Sequence, residues 1–401
     1  RQRTWGVPIA VFAHKQTGEL HPNTVPMIEK IAQAIEQQGV DAWDEVNIHD
    51  YLGDDADDYL KVTDILDVWF DSGVTHFTVL DQRKELSSPA DLYLEGSDQH
   101  RGWFQTSLLT SCAMKNEAPY KQVLTHGFTV DANGRKMSKS LGNIIPPDKV
   151  IQQLGADVLR LWVASTDYST DITVSDEILK RVSDTYRRLR NTARFLLANL
   201  HDFNPKTDLV SGQEMLELDR WIVLRAQALQ AQIKTAYDAY HFSQVYQLIY
   251  HFCSRDLGSF YLDVIKDRQY TCQTNSLARR SAQTALYHVI EAMVRWLAPI
   301  ISFTAEEIFE HIPGEREDSV FLSHWYQFPE ILPVDNSFWG ELMLVRDGIN
   351  KEIEQLRAEG QLGSSLEANI TLFANEHWLT SLRRIQDELR FVFIVSSANL
   401  L

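Results

Sequence analysis

Lys136 and Lys139 stand three residues apart, with Ser138 and Ser140 beside them, in the stretch Arg135-Lys136-Met137-Ser138-Lys139-Ser140. Two ammonium groups at that spacing, set among small hydroxyl residues, suit one chemical task. They can approach a chain of phosphates from the side and offset the charge that grows as part of it leaves. The plainer reading of such a stretch is a solvated basic loop. A second group of candidates is Glu95, Gly96, Asp98 and Gln99, where a glycine opens the backbone between two carboxylates. A carboxylate at such a turn can accept two hydroxyls of a ribose or hold an ammonium group. The plainer role, for Ser97 or Asp98, is to cap the helix that follows.

These groups need elements to hold them. Leu92 to Leu94 is expected to be a short buried strand and Glu95 to Asp98 a turn. Gln99 to Met114 is expected to be a helix, with Trp103, Leu108, Leu109 and Cys112 available to pack. Strand, glycine turn and helix make the crossing unit of a parallel sheet, whose ligands sit beyond the carboxyl ends of the strands. That places Glu95, Asp98, Gln99 and His100 at the ligand edge. Asp64 to Gly73 reads as a short apolar run that buries Trp69 and then turns sharply. Before the lysines, Phe128 and Val130 alternate with Thr129 as a strand half-facing a core would. Asp131 to Gly134 supplies the turn, since Asn and Gly tolerate positive φ, and Gly142-Asn143 is a second breaker.

Upstream, Ile9 to Phe12 reads as a strand and Val25 to Gln38 as a helix stopped by Gly39. Downstream, 150–154 and 157–164 read as short helices around Gly155. Apolar spacing then predicts helices over 175–200, 218–239, 242–266, 276–298 and 303–311, with Pro299 ending or kinking the fourth. Long helices with short links form a bundle. Trp221, Tyr246, Tyr250, Phe260 and Tyr261 lie on these helices and are read as core before they are read as platforms for bases. The pattern is irregular from Pro313 to Trp339. A helix over 341–359, then a strand 366–373, a helix 378–388 and a strand 390–395, indicate the start of a small α+β appendage.

The 401 residues allow two or three domains with substantial cores. No apolar run approaches the roughly 20 residues that span a bilayer, and no signal peptide opens the chain. Cys112, Cys253 and Cys272 are scattered without a CxxC pair, which argues against a zinc site or a disulfide framework and fits a reducing cytoplasm. The net charge of −17 argues against nucleic-acid binding unless positive charge is gathered on one face. It is gathered at Lys180, Arg181, Arg187, Arg188, Arg190 and Arg194, against Asp184 alone; a solvated helix face is the competing reading. Because the chain opens on Arg1 and not Met, it is read as a piece of a longer protein.

The wording of these stretches resembles one family. Lys136 to Ser140 matches letter for letter the KMSKS signature of the class I aminoacyl-tRNA synthetases, and it follows a His-Gly-Phe strand as it does there. Leu94 to Phe104, LEGSDQHRGWF, resembles the bacterial isoleucine-specific members. Valine and leucine enzymes carry different residues after the shared glycine. Arg1 to Pro8, Asp67 to Gly73, Leu154 to Tyr168, Lys266 to Tyr270 and Gly363 to Ala368 are similar too, so the resemblance covers essentially the whole chain. It implies a multidomain α/β plus all-α fold. The second half of a class I Rossmann-type catalytic domain would span 1–165, a helical anticodon-binding domain 166–335, and a small truncated α+β region 336–401.

The resemblance also implies an activity: ATP-dependent activation of L-isoleucine to isoleucyl-adenylate and its transfer to tRNA(Ile). ATP and Mg²⁺ would serve as cofactors, in the cytoplasm, in a ligase that is monomeric at full length and needs no membrane. Glu95 would contact the amino group of the adenylate, Gly96 would admit the backbone, Asp98 would hold the ribose and Gln99 would lie beside it. Trp69 and Trp103 would wall the side-chain pocket. Gly127 and Phe128 would lie near the adenine, and Lys136, Met137, Ser138 and Lys139 would border the phosphates. The basic cluster at Lys180 to Arg194 is the candidate for tRNA phosphates. The sequence departs from the family at three places. The His-x-Gly-His signature of the first half of the nucleotide fold is absent, and so are the editing domain and the Cys-rich zinc-binding end; no metal ligand is assigned. Alone, the chain is therefore expected to hold half of an active site and to be inactive. Two other readings stay open: a valine-specific enzyme, and a non-catalytic tRNA-binding protein.

Overall fold

The computed structural model describes residues 6–401, so the phrase from Arg1 to Trp5 lies outside the described residues. The chain divides into two units, one ending at Phe128 and one running from Thr129 to Leu401.

In the first unit, Met27 and Ile31 lie one helical turn apart on the Thr24–Gln38 helix. They bury against Phe12, Trp43, Leu52 and Ala56. Gly39, at φ +85°, ends that helix. The strand expected at 9–12 forms later, at Phe12–His14, and pairs antiparallel with Tyr59–Lys61. The expected parallel unit is present: Tyr93–Gly96 pairs with Val123–His126, and the Trp103–Lys115 helix lies between them in the chain. Its details differ from expectation. The strand runs on through Glu95 and Gly96, only Tyr93 and Gly96 are buried, and Leu94 is exposed. The helix does not pack through Leu108, Leu109 and Cys112, which all face out; its buried face is Phe104, Ser107 and Ser111. Phe104 on that face lies beside the Tyr93 ring, while the Val68–Gly73 helix approaches at Thr106 and Thr110, where the Thr110 hydroxyl donates to the Gly73 carbonyl at 2.9 Å.

In the second unit, Thr129–Val130 pairs parallel with Ile172–Thr173. The Pro147–Leu154 and Ala156–Ser165 helices flank Gly155, whose φ of +90° turns the chain between them. The bundle follows as Asp176–Ala198, Glu217–Asp238, Phe242–His251, Leu277–Leu297 and Ser302–His311, all contributing to one core. The helix expected over 242–266 changes period at Phe252, and Phe252–Tyr261 is π-helical. The wider turn puts Phe252, Cys253, Leu257, Phe260 and Tyr261 all inside. Gly258 permits it, because a Cβ there would stand 2.9 Å from the Cys253 carbonyl oxygen. Trp221, Phe260 and Tyr261 are core, while Tyr246 and Tyr250 are half-buried and stacked on each other.

Trp339 does not lie in an irregular stretch. Asp335 caps the Asn336–Ala358 helix by accepting from the Ser337 and Phe338 amides, and Trp339 is buried against Trp221. The strand read at 390–395 is instead a helix, Leu389–Phe393. Leu389, Val392 and Phe393 recur at three and four residues, so one helical face resembled an apolar strand run. The strand is Ser397–Leu400, parallel to Asn369–Leu372. Among the described residues, no helix is long and apolar enough to cross a membrane.

A buried charge cluster ties the last segment to the bundle. Asp219 is fully buried and accepts from the Tyr261 hydroxyl at 2.7 Å and the Ser281 hydroxyl at 2.5 Å. Arg268 lies 3.3 Å from Asp219 and 2.9 Å from Glu388. Burial pushes the Glu388 carboxyl up from its ordinary range. Arg268→Met strands two carboxylates without a cation. It is expected to lower unfolding stability by about 3–5 kcal/mol, read as a lower urea midpoint. A midpoint within error of the unsubstituted chain would show that the cluster contributes nothing net.

Candidate functional site

At the carboxyl ends of the two parallel strands, Gly96 is level with His126 and Glu95 with Thr125. Beyond Gly96 the chain makes a 3₁₀ turn, Ser97–Arg101, that presents Asp98 and Gln99. A side chain at 96 is impossible without rearrangement, because a Cβ there would lie 2.6 Å from Asp98 Oδ1. The cap of the following helix is neither Ser97 nor Asp98. Gln99 Oε1 accepts from the Trp103 amide at 3.0 Å, while Gln99 Nε2 donates to Asp98 Oδ2 at 3.3 Å. Glu95 and Asp98 are thus exposed carboxylates at a strand end, with Asp98 steadied by Gln99.

The two tryptophans come together here. Trp103 stacks flat on Tyr93, with centroids 4.2 Å apart, and its Nε1 donates to the Ser72 carbonyl at 2.9 Å. Trp69 is not buried as expected but 45% exposed. Asp67 caps the Val68–Gly73 helix through the Trp69 amide, which holds Trp69 in the first turn. Its ring lies beside Gly102, where a Cβ would come within 3.1 Å. Burial, then the Asp67 carboxylate, pushes the neighbouring Asp71 carboxyl up. Glu95, Asp98, Gln99, Trp69 and Trp103 therefore all sit on elements joined by direct bonds or ring contacts around the strand ends. His126, which sequence reasoning did not single out, shares that edge; its Nδ1 donates to the Gly127 carbonyl at 2.8 Å.

The lysine stretch belongs to the second unit. After Val130 the chain turns through Asp131 to Gly134, with Gly134 at φ +74°, and Lys136 returns as an antiparallel bridge to Val130. Met137 packs against the core, which anchors the middle of the stretch. Lys139 opens a 3₁₀ turn, Lys139–Leu141, capped by Ser138, and its side chain is exposed. Sequence reasoning missed Asp131 and Asn143 as working residues. Asp131 accepts from the Asn133 and Arg135 amides at 2.9 and 3.0 Å, the Arg135 guanidinium at 3.0 Å and Asn143 Nδ2 at 2.9 Å. The Asn143 amide first, then the Arg135 backbone and guanidinium, hold its carboxyl well below the usual range. An Asp just before an Asn-Gly turn is a readable signal for such local bonding; the reach to Asn143 is not.

The basic helix is partly self-neutralised. Arg181 pairs with Glu177, Arg187 with Asp184 and Arg190 with Glu307. Lys180, Arg188 and Arg194 have no carboxylate partner among the described residues, and Arg188 lies over the Tyr250 ring. Arg187 and Arg188 border an open groove of about 600 Å³ whose far side carries Ser254, Ser259 and Lys266. Among the described residues, no group of three or more His, Cys, Asp or Glu is placed to hold a metal ion.

The family model for class I tRNA synthetases (I, L, M and V) matches residues 1–175, and that for the anticodon-binding domain of tRNA ligases matches residues 219–372. The chain belongs to the class I tRNA synthetases. Its relatives include isoleucine–tRNA ligases. One from Marinomonas sp. is 62% identical across 100% of this chain, and one from Methylococcus capsulatus is 60% identical across 99%. The chain spans 43% of the length of each. The fold is similar to that of LeuRS from Agrobacterium radiobacter, solved as a ternary complex with tRNA and LeuAMS: TM-score 0.58, 18% identity, 79% of this chain and 40% of that one. It is also similar to methionyl-tRNA synthetase from Mycobacterium tuberculosis, solved with methionyl-adenylate: TM-score 0.51, 21% identity, 61% of this chain and 50% of that one. An α/β catalytic segment followed by an all-α anticodon-binding domain is the architecture expected above.

The glycine of the Asp71-Ser72-Gly73 phrase sets how closely the two helices of the tryptophan cluster approach. A Cβ at Gly73 would meet the Thr106 side chain at 2.9 Å and its backbone carbonyl carbon at 3.1 Å. Gly73→Ala should destabilise the first unit by about 1–3 kcal/mol and shift Trp103 fluorescence as its bond to Ser72 is disturbed. An unchanged melt and spectrum would contradict this packing.

Proposed function

We propose that this chain is a carboxyl-terminal working portion of an isoleucine–tRNA ligase. The isoleucine carboxylate attacks the α-phosphate of ATP, the bond to the β-phosphate breaks, and pyrophosphate leaves. The terminal adenosine of tRNA(Ile) then takes the aminoacyl group from isoleucyl-adenylate. No protein nucleophile is required; the protein positions the reactants and stabilises charge on the phosphates. Glu95 holds the isoleucine ammonium, Asp98 the ribose hydroxyls with Gln99 beside it, and Gly96 admits the backbone. Trp69 and Trp103 wall the side-chain pocket, and Gly127 and Phe128 lie against adenine. Lys136 and Lys139, carried on a stretch anchored through Met137 and Ser138, meet charge developing on the departing pyrophosphate. They act on the transition state more than on bound ATP.

The observation that carries this reading is the fate of Asp131, the one carboxylate between His126 and Asn143. It is fully engaged by Arg135, Asn133 and Asn143. Its charge is therefore spent within the turn, while Lys139 stands exposed at the head of its 3₁₀ turn, open to a ligand. Mg²⁺ would arrive on the ATP phosphates; the described residues offer no carboxylate set to hold it, and no step is assigned to it. The pocket cannot strongly exclude valine, since one methylene is worth only ~1–3 kcal/mol. Isoleucine specificity thus calls for a separate editing step. The working parts divide as 1–165 for adenylate chemistry, 166–335 for tRNA and 336–401 as an appendage. Lys180, Arg181, Arg187, Arg188, Arg190 and Arg194 supply tRNA phosphate contacts. The whole enzyme works as a cytoplasmic monomer.

The test is isoleucine-dependent ATP–pyrophosphate exchange by the protein at its relatives' full length. Lys139→Ala should lower kcat about 100-fold or more while leaving KM for ATP within a few-fold. The 401-residue chain, which lacks a His-x-Gly-His signature, should show no exchange. Preference for valine would move the assignment to the valine enzymes. Full-length protein that binds tRNA but never exchanges would make it an RNA-binding protein, and exchange by the chain alone would contradict the half-site account.

A further inference from the structure

Asn143 uses both ends of its side-chain amide. Its Oδ1 accepts from the Ser138 backbone amide at 2.9 Å. Its Nδ2 donates to Asp131 Oδ2 at 2.9 Å and lies 3.3 Å from the Lys136 carbonyl oxygen. Lys136, Ser138 and Asp131 belong to three different parts of the stretch: the returning limb, the cap of the 3₁₀ turn, and the base of the hairpin turn. One half-buried side chain therefore joins all three. Ser138 passes the constraint on, since its hydroxyl accepts from the Leu141 amide at 3.2 Å and lies 3.1 Å from the Ser140 hydroxyl. Lys139 stands between these fixed points.

We propose that Asn143 is a positioning residue for the lysine pair, a clasp that fixes the register of Lys136 and Lys139 by holding Ser138 and Lys136 to the ionised Asp131. The inference rests on the synthetase reading above and extends it to a residue with no group of its own on the substrate. The chemistry of the side chain explains why an amide stands there. An amide carries an acceptor oxygen and a nitrogen with two donor hydrogens, so one side chain can accept from a backbone N–H while donating to a carboxylate and a carbonyl; Asn does this with a shorter reach than Gln. Aspartate at 143 would still accept from Ser138, but it would set a second carboxylate against Asp131. Alanine would leave both the Ser138 amide and Asp131 without that partner.

Two measurements separate this role from a general structural one. The first is a kinetic cycle in the full-length protein, read as isoleucine-dependent ATP–pyrophosphate exchange. Asn143→Ala should lower kcat about 10- to 100-fold with KM for ATP little changed. In the Lys139→Ala background the same substitution should cost clearly less than in the unsubstituted protein, because the part of the clasp's effect that runs through that lysine is already lost. Equal losses in both backgrounds, or no loss in either, would overturn the proposal. The second is amide hydrogen exchange over 136–143 in the 401-residue chain, which needs no chemistry. Protection there should fall in Asn143→Ala and in Asn143→Asp. It should return when Asn143→Asp is combined with Asp131→Asn, since the amide introduced at 131 then donates to the carboxylate introduced at 143. Unchanged protection in the single variants would show that the clasp holds nothing. If the unsubstituted full-length protein shows no exchange, the synthetase reading fails and the catalytic role fails with it. Hydrogen exchange then reports separately whether the clasp exists.

Discussion

The candidate site of the first unit depends on the parallel pairing of Tyr93–Gly96 with Val123–His126. The pairing brings two strand ends level, Gly96 beside His126, and so fixes where the Ser97–Arg101 turn can present Asp98 and Gln99. A parallel pair is stable only when covered. Its cover is the Trp103–Lys115 helix, whose first residue lies flat on Tyr93. Trp103 also reaches the Ser72 carbonyl, so the Val68–Gly73 helix, and Trp69 with it, is positioned by the same stack. Two acids, an amide and two indoles spread over 35 residues of sequence thus take their places from one strand register and one ring contact.

The second unit solves a different problem, which is where to gather positive charge in a chain of net charge −17. In the lysine stretch Asp131, the one carboxylate of residues 126–143, is bonded to an arginine, two backbone amides and an asparagine. On the basic helix, half of the arginine and lysine residues are paired with acids on the same or a neighbouring helix. The residues left over, Lys180, Arg188 and Arg194, are fewer than the composition of that helix indicates. Arg188 and Lys266 face the same groove from opposite sides. Deeper in, the unit tolerates a buried arginine because Asp219 and Glu388 flank it.

Much of this was legible in the residues. Long amphipathic helices declare themselves by period, and Gly39, Gly155, Gly360 and Pro299 stop or turn the chain where expected. Local chemistry was less legible wherever a distant partner decides it. Trp69 was read as buried, yet the cap made by Asp67 holds it at the surface. The Trp103–Lys115 helix hides serines and shows leucine, and a glycine of another helix closes on it at Thr106, a contact set by a partner distant in sequence. The π-helical turn at Phe252–Tyr261 adds a residue that no periodic template anticipates, and 390–395 satisfied a strand template only because one helical face was apolar. Asn143 read as a loop breaker; its value lies in bonds to residues five, seven and twelve positions back.

The account turns on the strand-end carboxylates holding an aminoacyl-adenylate whose side chain rests against the tryptophans. The most direct measurement is calorimetric binding of a non-hydrolysable isoleucyl-adenylate analogue and its valyl counterpart to the full-length protein, with and without Glu95→Ala. The account predicts preference for the isoleucyl analogue and loss of binding by about 10-fold or more in the variant, as expected for a severed charge-assisted bond. Equal affinity for the two analogues, or undiminished binding without Glu95, would contradict it.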